Sequence, residues 1–306
     1  MELVARVGWV GCGRMGSAMA TRLINAGVTL SAYNRTRAKA EALGVKVVER
    51  PVDLADQDIV FIMVSASDDL LQVVSGPDGV LGDPARAPRI LVDCSTVASE
   101  TSAEVRALAD ARGTAFLAAP ISGNPKVVAS GNSVQAVSGP RDAYDEVAPY
   151  FTAIAKSAVY TGEGEVARLV KICHNMMLGI VTQAMAEITV LAEKGGVARH
   201  AWLEFLNDSV MGSPFTRYKS PAFVNLDFTP TFTPTLLRKD FDLGMAVAYE
   251  HDVSMPVSAL VLELVKATIG AGYDGDFSVL LLEAARASGL TLEPENVAVD
   301  DGLGGR

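Results

Sequence analysis

The sequence predicts an α/β doubly wound sheet in its first half, an all-helical domain in its second, and one long interdomain helix between them. Three observations carry this expectation. Short apolar, β-branched runs alternate with helical patterns through the first half, as in a parallel sheet built from strand-helix-strand units. A proline-free stretch bracketed by glycines, 164–196, repeats its apolar residues every three or four positions. Beyond it, strand-like alternation disappears. The expected organisation is a sheet domain over 1–163, a helical domain over 164–290 and a loose acidic, glycine-rich tail over 291–306.

The first strand-like run, 7–10, feeds Gly11-Cys12-Gly13-Arg14-Met15-Gly16, and a helical pattern follows until Asn25-Ala26-Gly27. Strand, turn and helix in this order are what a dinucleotide-binding fingerprint requires. Gly11 permits the tight turn, Gly13 lets backbone amides approach a pyrophosphate, and Gly16 lets the helix pack on the strand. Arg14 and Met15 complete the candidate cofactor loop. A purely structural glycine turn is the plainer alternative, and the flanking context weighs against it.

The second strand ends at Asn34-Arg35-Thr36, where an NAD-binding fold would present an acidic residue to the ribose hydroxyls. A carboxylate would repel a 2′-phosphate, whereas the Arg35 guanidinium can grip one and the Thr36 hydroxyl can donate to it. NADP(H) is therefore the expected cofactor, in preference to NAD(H).

Runs beginning at Val45, Asp58 and Ile90 read as further buried parallel strands, with helical material at 51–55, 67–74 and 99–112. Strand ends of this kind face the ligand crevice, so Met63, Val64, Ser65, Ser95 and Thr96 are candidates to line its nicotinamide end. The next strand breaks into Ser122-Gly123-Asn124, a small turn offering a hydroxyl, backbone amides and a side-chain amide. It is a candidate cradle for a carboxylate, although an ordinary loop reads the same way. Strands from Ser133 and Ser157 close the sheet.

In the long helix Val166, Val170, Cys173, Met177, Ile180, Ala184, Ile188 and Leu191 recur at helical spacing. Roughly thirty residues at 1.5 Å each span about 45 Å, more than the width of a small domain. Lys171 and Asn175 are four apart and share a face, with Lys171 set among apolar residues rather than in a charged run. A solvated lysine is the bland reading of such a position. Farther on, Pro214, Pro221, Pro230 and Pro234 predict an irregular loop over 211–232. A helix follows, with Leu237, Phe241, Met245 and Ala248 as its buried stripe; Lys239 and Asp240 lie off that stripe and, being adjacent, need separate partners.

Composition narrows the function classes. A chain of 306 residues, 49% apolar and 20% charged, is ordinary globular material with room for two cores. Its net charge of -10 argues against a nucleic-acid partner. No unbroken apolar stretch approaches the ~18 residues of a membrane span, and no signal peptide is expected before the first strand. Cys12, Cys94 and Cys173 fit no metal spacing and read as free thiols, and the three histidines suggest no metal site, so a cytoplasmic, metal-free protein is expected.

Taken together, Gly11-Cys12-Gly13-Arg14-Met15-Gly16, Asp93-Cys94-Ser95-Thr96, Pro120-Ile121-Ser122-Gly123, the Lys171 to Asn175 spacing, Lys239-Asp240 and Gly275-Asp276-Phe277-Ser278 resemble the β-hydroxyacid dehydrogenases over nearly the whole chain. The similarity is to the group of hydroxyisobutyrate dehydrogenase and the NADPH-type glyoxylate/succinic semialdehyde reductases. It implies a Rossmann domain, a long interdomain helix, and a helical domain that pairs subunits, hence a homodimer or higher homo-oligomer. It also implies that Lys171 is the catalytic acid/base with Asn175 beside it, that Ser122 and Gly123 hold a small carboxylate substrate, and that Lys239 lies near the nicotinamide ribose. Position 124 departs, carrying Asn124 where a glycine is usual, and its side chain is expected to project towards the substrate.

The reaction implied is hydride transfer between a nicotinamide and a small β-hydroxyacid, semialdehyde or keto acid, with Lys171 exchanging the hydroxyl proton. That role needs a lysine pKa well below its free value, of the kind that burial between apolar neighbours and a nearby cation would be expected to supply. Two alternatives stand beside it. Imine reductases share the fold and the Asn-Arg-Thr segment but generally lack this lysine, and a non-catalytic NADPH-binding module would be expected to lose it.

Overall fold

The computed structural model describes residues 3–303. It divides into two compact units, the first ending at Lys171 and the second beginning at Ile172.

In the first unit the four-residue apolar runs become central strands. β1 (Val7–Val10), β4 (Ile59–Ile62) and β5 (Ile90–Asp93) are buried along their whole length, because helices cover both faces of the sheet. With β2 (Leu30–Tyr33), β3 (Lys46–Val47), β6 (Ala115–Ala118), β7 (Ile121–Ser122), β8 (Val134–Ser138) and β9 (Ser157–Gly162) they form one sheet in the order β3-β2-β1-β4-β5-β6-β8-β7, with β9 also pairing β8. Strands β1 to β6 pair in parallel, and β8 runs antiparallel to β6 and β7. The order reverses between β1 and β4, and a doubly wound sheet opens its crevice at such a switch point. Helices α1 (Arg14–Asn25), α2 (Arg37–Glu41), α3 (Ser67–Ser75), α4 (Ser99–Asp110), α5 (Pro125–Ala129) and α6 (Arg141–Ile154) fill the connections.

Helix α7 (Val166–Lys194) is continuous, as its proline-free sequence predicts. Its inward residues are Ile172, Met176, Met185, Ala186 and Val190, whereas Val166, Val170, Cys173, Met177, Ile188 and Leu191 are exposed. The helix is also long and apolar enough to cross a membrane by length and composition, contrary to the expectation from unbroken apolar runs. Its valine, isoleucine, leucine, methionine and alanine residues keep the average apolar while polar residues between them break any long run, and half of that window is buried inside the protein.

The second unit adds α8 (Arg199–Asp208), α9 (Pro214–Asn225), α10 (Pro234–Glu250), α11 (Pro256–Gly270) and α12 (Leu280–Ala287). Gly179 of α7 and Gly244 of α10 allow these two helices to approach closely. A methyl group at Gly179 would lie 2.5 Å from the Phe241 ring, and one at Gly244 2.0 Å from the Met176 sulfur. Helix α9 corrects the expected loop of 211–232 over Pro214–Asn225, while 226–232 is irregular as expected. Pro214 occupies its first position, where no N–H is needed, and Ser213 and Thr216 bond each other's amides at 3.1 and 2.9 Å as a capping box. Pro221 lies inside the helix and forgoes one intrahelical bond.

The tail is likewise seated rather than loose, as far as residue 303. Glu295 accepts from the Arg199 and His200 amides at 2.7 and 3.0 Å, capping the start of α8. The buried Arg199 guanidinium donates to the Glu293 carbonyl, and Asn225 donates to Val297 at 2.8 Å. One carboxylate of a segment that reads as a loose tail therefore satisfies a helix N-terminus. Residues 304–306 lie outside the described residues.

Candidate active site

The glycine loop is built by its neighbours. The buried Trp9 indole donates to the Gly11 carbonyl at 2.8 Å, Gly11 donates to Tyr33 at 2.9 Å, and Asn34 Oδ1 accepts from Cys12 at 2.8 Å. Gly11 has φ +95°, and a Cβ there would sit 2.1 Å from the Met63 carbonyl. A Cβ at Gly16 would sit 2.0 Å from the Gly11 carbonyl. At Gly13 it would meet nothing, because this residue faces open space. The first amides of α1, which have no acceptor within the helix, follow directly. An exposed glycine ahead of a twelve-residue helix fits a pyrophosphate.

Gly11 and Gly13 line a cleft of about 380 Å³ together with Asn34, Arg35, Thr36, Met63, Val64 and Ser65. Eight of the expected cofactor residues thus come to one wall. Arg14 is exposed at the first residue of α1, and Met15 packs on the sheet core. Asn34 is committed on both sides, since its Nδ2 also donates to the Thr36 carbonyl at 2.8 Å; it shapes the loop. Arg35 is 82% exposed and pairs with Asp69 at 3.3 Å. Lys39 and Asp69, both on this wall, were not singled out from the sequence. Charged residues at the starts of two helices read there as solvated.

Ser95 is not on the wall. It is fully buried, and its hydroxyl accepts from the Val64 amide at 2.9 Å, so it supports the lining loop from behind. Thr96 follows it, partly exposed. Ser122 ends β7, and Gly123 takes φ +131°. Asn124 departs from the sequence expectation. Its side chain turns onto the Val127 amide at 3.0 Å and caps α5, so this oxygen is spent on the helix rather than projected towards substrate.

Lys171 lies half-buried on α7, in the last position of the first unit. Three residues earlier is Arg168, buried and bonded to Asp93, which sequence reasoning passed over. In the second unit, Asn175 donates to Asp240 at 2.6 Å, while its oxygen lies 3.1 Å from His174 Nδ1. Asp240 has the separate partner expected of it, Asn175, and the Lys239 amine lies in addition 3.6 Å from its neighbour's Oδ1. Asp240 is buried on α10, and the long lysine stem spans the angle between adjacent helical positions.

Two of the three free thiols are buried and unsuited to nucleophilic work: burial pushes Cys12 up to about 11 and Cys94 higher still. Among the described residues no group of three His, Cys, Asp or Glu side chains is placed to hold a metal ion.

Residues 6–162 match the NAD binding domain of 6-phosphogluconate dehydrogenase, and residues 162–283 match the NAD-binding region of NADP-dependent 3-hydroxyisobutyrate dehydrogenase. The chain is 31% identical to glyoxylate/succinic semialdehyde reductase 1 of Arabidopsis thaliana, covering 92% of this chain and 99% of that protein. It is 27% identical to an NAD-dependent L-serine dehydrogenase of Pseudomonas aeruginosa, covering 90% and 96%. Among solved structures, 3-hydroxyisobutyrate dehydrogenase of Mycobacterium tuberculosis with L-serine superposes with a TM-score of 0.78 at 25% identity, covering 91% of this chain and 98% of that one.

Proposed function

The chain belongs to the β-hydroxyacid dehydrogenase family, NAD(P)-dependent oxidoreductases acting on CH–OH groups, and from that premise we propose that it uses NADP(H) to interconvert a small carboxylate-bearing semialdehyde or keto acid and its hydroxyacid. The observation that carries the cofactor choice is the end of β2. Asn34-Arg35-Thr36 places a guanidinium and a hydroxyl on the cleft wall where a ribose-binding carboxylate would exclude a 2′-phosphate.

The bound nicotinamide supplies or takes the hydride. In reduction, Lys171 donates its Nζ proton to the oxygen of the former carbonyl; in oxidation it accepts the hydroxyl proton. Ser122 and the Gly123 backbone hold the carboxylate, with the turn fixed by the Asn124 cap on α5. Asn175 acts as the neighbour of Lys171 on α7, and Asp240 holds its amide in one orientation. Lys239 is assigned to the nicotinamide ribose, as the family resemblance suggests. The active species is proposed to be a homodimer formed over the exposed apolar stripe of α7, which includes Met177, Ile188 and Leu191.

The test follows absorbance of NADPH, and separately NADH, with glyoxylate, succinic semialdehyde, methylmalonate semialdehyde and tartronate semialdehyde. NADPH oxidation much faster than NADH oxidation with one of them is expected. Lys171→Ala is expected to bind NADPH normally and to lose turnover. A variant that keeps most of its rate removes Lys171 from the mechanism.

A further inference from the structure

We propose that Arg168 is a positioning residue for Lys171, fixing the rotation of α7 relative to the loop that lines the cofactor cleft; this rests on the reading of Lys171 as the acid/base. Arg168 and Asp93 are 2% and 0% exposed, and the guanidinium is used on three sides. Nη2 donates to Asp93 Oδ2 at 2.5 Å, Nη1 to the Ser95 carbonyl at 2.6 Å, and Nε to the Ser102 hydroxyl at 3.0 Å. These acceptors stand on β5, on the loop after it, and on α4.

The contacts continue to the cleft without a break. The other oxygen of Asp93 accepts from the Ser95 amide at 3.1 Å, and the Ser95 hydroxyl accepts from Val64, a cleft residue, at 2.9 Å. Every member of this chain belongs to the first unit, as Lys171 does.

Other contacts hold the entrance of α7. The Ser138 hydroxyl donates to the Gly164 carbonyl at 2.7 Å and accepts from Ala167 at 3.2 Å. Arg106 donates to the same carbonyl at 2.7 Å and to Glu165 at 2.6 Å. Arg168, buried with a planar three-sided grip on β5, the loop after it and α4, adds a side-chain anchor that fixes the rotation of the helix about its axis.

Lys171 follows three residues later, about 4.5 Å along the axis. At the ~5–6 Å radius of side chains, a rotation of about 10° displaces a side-chain atom by about 1 Å. A misplacement of about 1 Å can cost about 100-fold in rate. Stability gives a weaker reason for the pair, since replacing a buried ion pair by apolar residues is often neutral or stabilising.

The experiment compares wild type with Arg168→Met and with the double variant Arg168→Met, Asp93→Asn. The second removes both charges together, and so stays folded if the first leaves Asp93 uncompensated. Thermal melting and NADPH binding are measured first. The Lys171 Cε resonance, assigned by its loss in Lys171→Arg, is then recorded without cofactor; kcat and KM are measured in the wild-type background, and the residual rate at high enzyme concentration in a Lys171→Ala background.

The expected result is a folded protein with NADPH affinity within threefold of wild type, a shifted Lys171 resonance, and kcat lowered about 10- to 100-fold. In the Lys171→Ala background the same substitutions should cost nothing further. An unshifted resonance with kcat within twofold of wild type overturns the proposal, as does an equal loss in the Lys171→Ala background. If Lys171→Ala itself keeps the wild-type rate, the reading of Lys171 falls and this proposal with it. Lys171→Ala inactive beside a fully active double variant overturns the positioning role alone.

Discussion

The sharpest consequence of the cleft wall concerns Arg35. Its guanidinium is 82% exposed and pairs with Asp69 on the same wall at 3.3 Å. An exposed pair of this kind is worth at most about 1 kcal/mol, so little is lost when a 2′-phosphate draws the arginine away. A hydrogen bond to a charged group contributes about 1.5–3 kcal/mol, and solvent at this exposed site favours the lower figure. At about 1.4 kcal/mol per factor of ten, Arg35→Ala should weaken NADPH binding about 10- to 30-fold. NADH, which has no 2′-phosphate, should bind as before.

Asp69→Asn removes the competing carboxylate and should tighten NADPH about two- to fivefold, within the ~1 kcal/mol of the pair. Both effects should shrink between 50 mM and 500 mM salt, because the charges are exposed. Quenching of protein fluorescence by each cofactor measures the affinities. Equal losses for NADPH and NADH in Arg35→Ala, or NADPH binding unchanged, would refute the electrostatic reasoning and leave the cleft indifferent to the 2′ position.

Three more expectations can be measured. Asn124→Ala should lower the melting temperature by a few degrees through loss of the α5 cap, worth about 1 kcal/mol, and change substrate KM less than threefold; a tenfold change in KM at unchanged stability would return the side chain to the substrate. Met177→Asp with Leu191→Asp places charges on the exposed stripe of α7 and should give a monomer by light scattering, the proposed dimer being excluded if the mass does not change. The third concerns Asp276: burial alone would raise its carboxyl, but Lys219 at 2.5 Å and the hydroxyls of Ser278 and Thr231 hold it below the ordinary range. Its contribution is therefore present above the unfolded value of about 3.9 and lost as pH falls through the lower folded value. Lys219→Met should cost about 3–5 kcal/mol at neutral pH and move the acid transition upward, and an unchanged acid transition in urea would count against the pair.

What could be read in advance depended on whether a residue's role is local. Gly11, Gly13 and Gly16 were legible because a turn of that shape excludes any Cβ at two of the three positions. The position of Arg35 and Thr36 on the cleft wall was legible because the end of β2 has a fixed place in a doubly wound sheet. Asn124 was misjudged because a polar residue in a glycine turn looks like a ligand-binding group until Pro125–Ala129 is known to be a helix that needs a cap. Helix α9 was hidden by prolines whose positions, not numbers, decide their effect. Arg168 was hidden for a different reason. Its acceptors come from residues 93, 95 and 102, and no pattern within α7 announces them.

Helix α7 shows why periodicity alone could locate an element and leave its environment open. The residues that announced it, among them Cys173, Met177, Ile188 and Leu191, are exposed, while Ile172, Met176, Met185 and Val190 face inward. Two apolar faces on one helix explain why its composition satisfies a membrane criterion although half of the window is buried in the protein. A helix that is apolar all round is normally covered all round. The fold covers one face, approaching closely enough that Gly179 and Gly244 admit no side chain. The other face also carries Glu187, and a bilayer would have to bury that carboxylate in hydrocarbon at a cost of several kcal/mol. A protein surface with a polar rim accommodates the same residue at its edge. That difference favours a protein surface over a bilayer as the cover; the proposed homodimer would supply it from a second copy of the chain, and the mass of the Met177, Leu191 variant is the quantity that tests it.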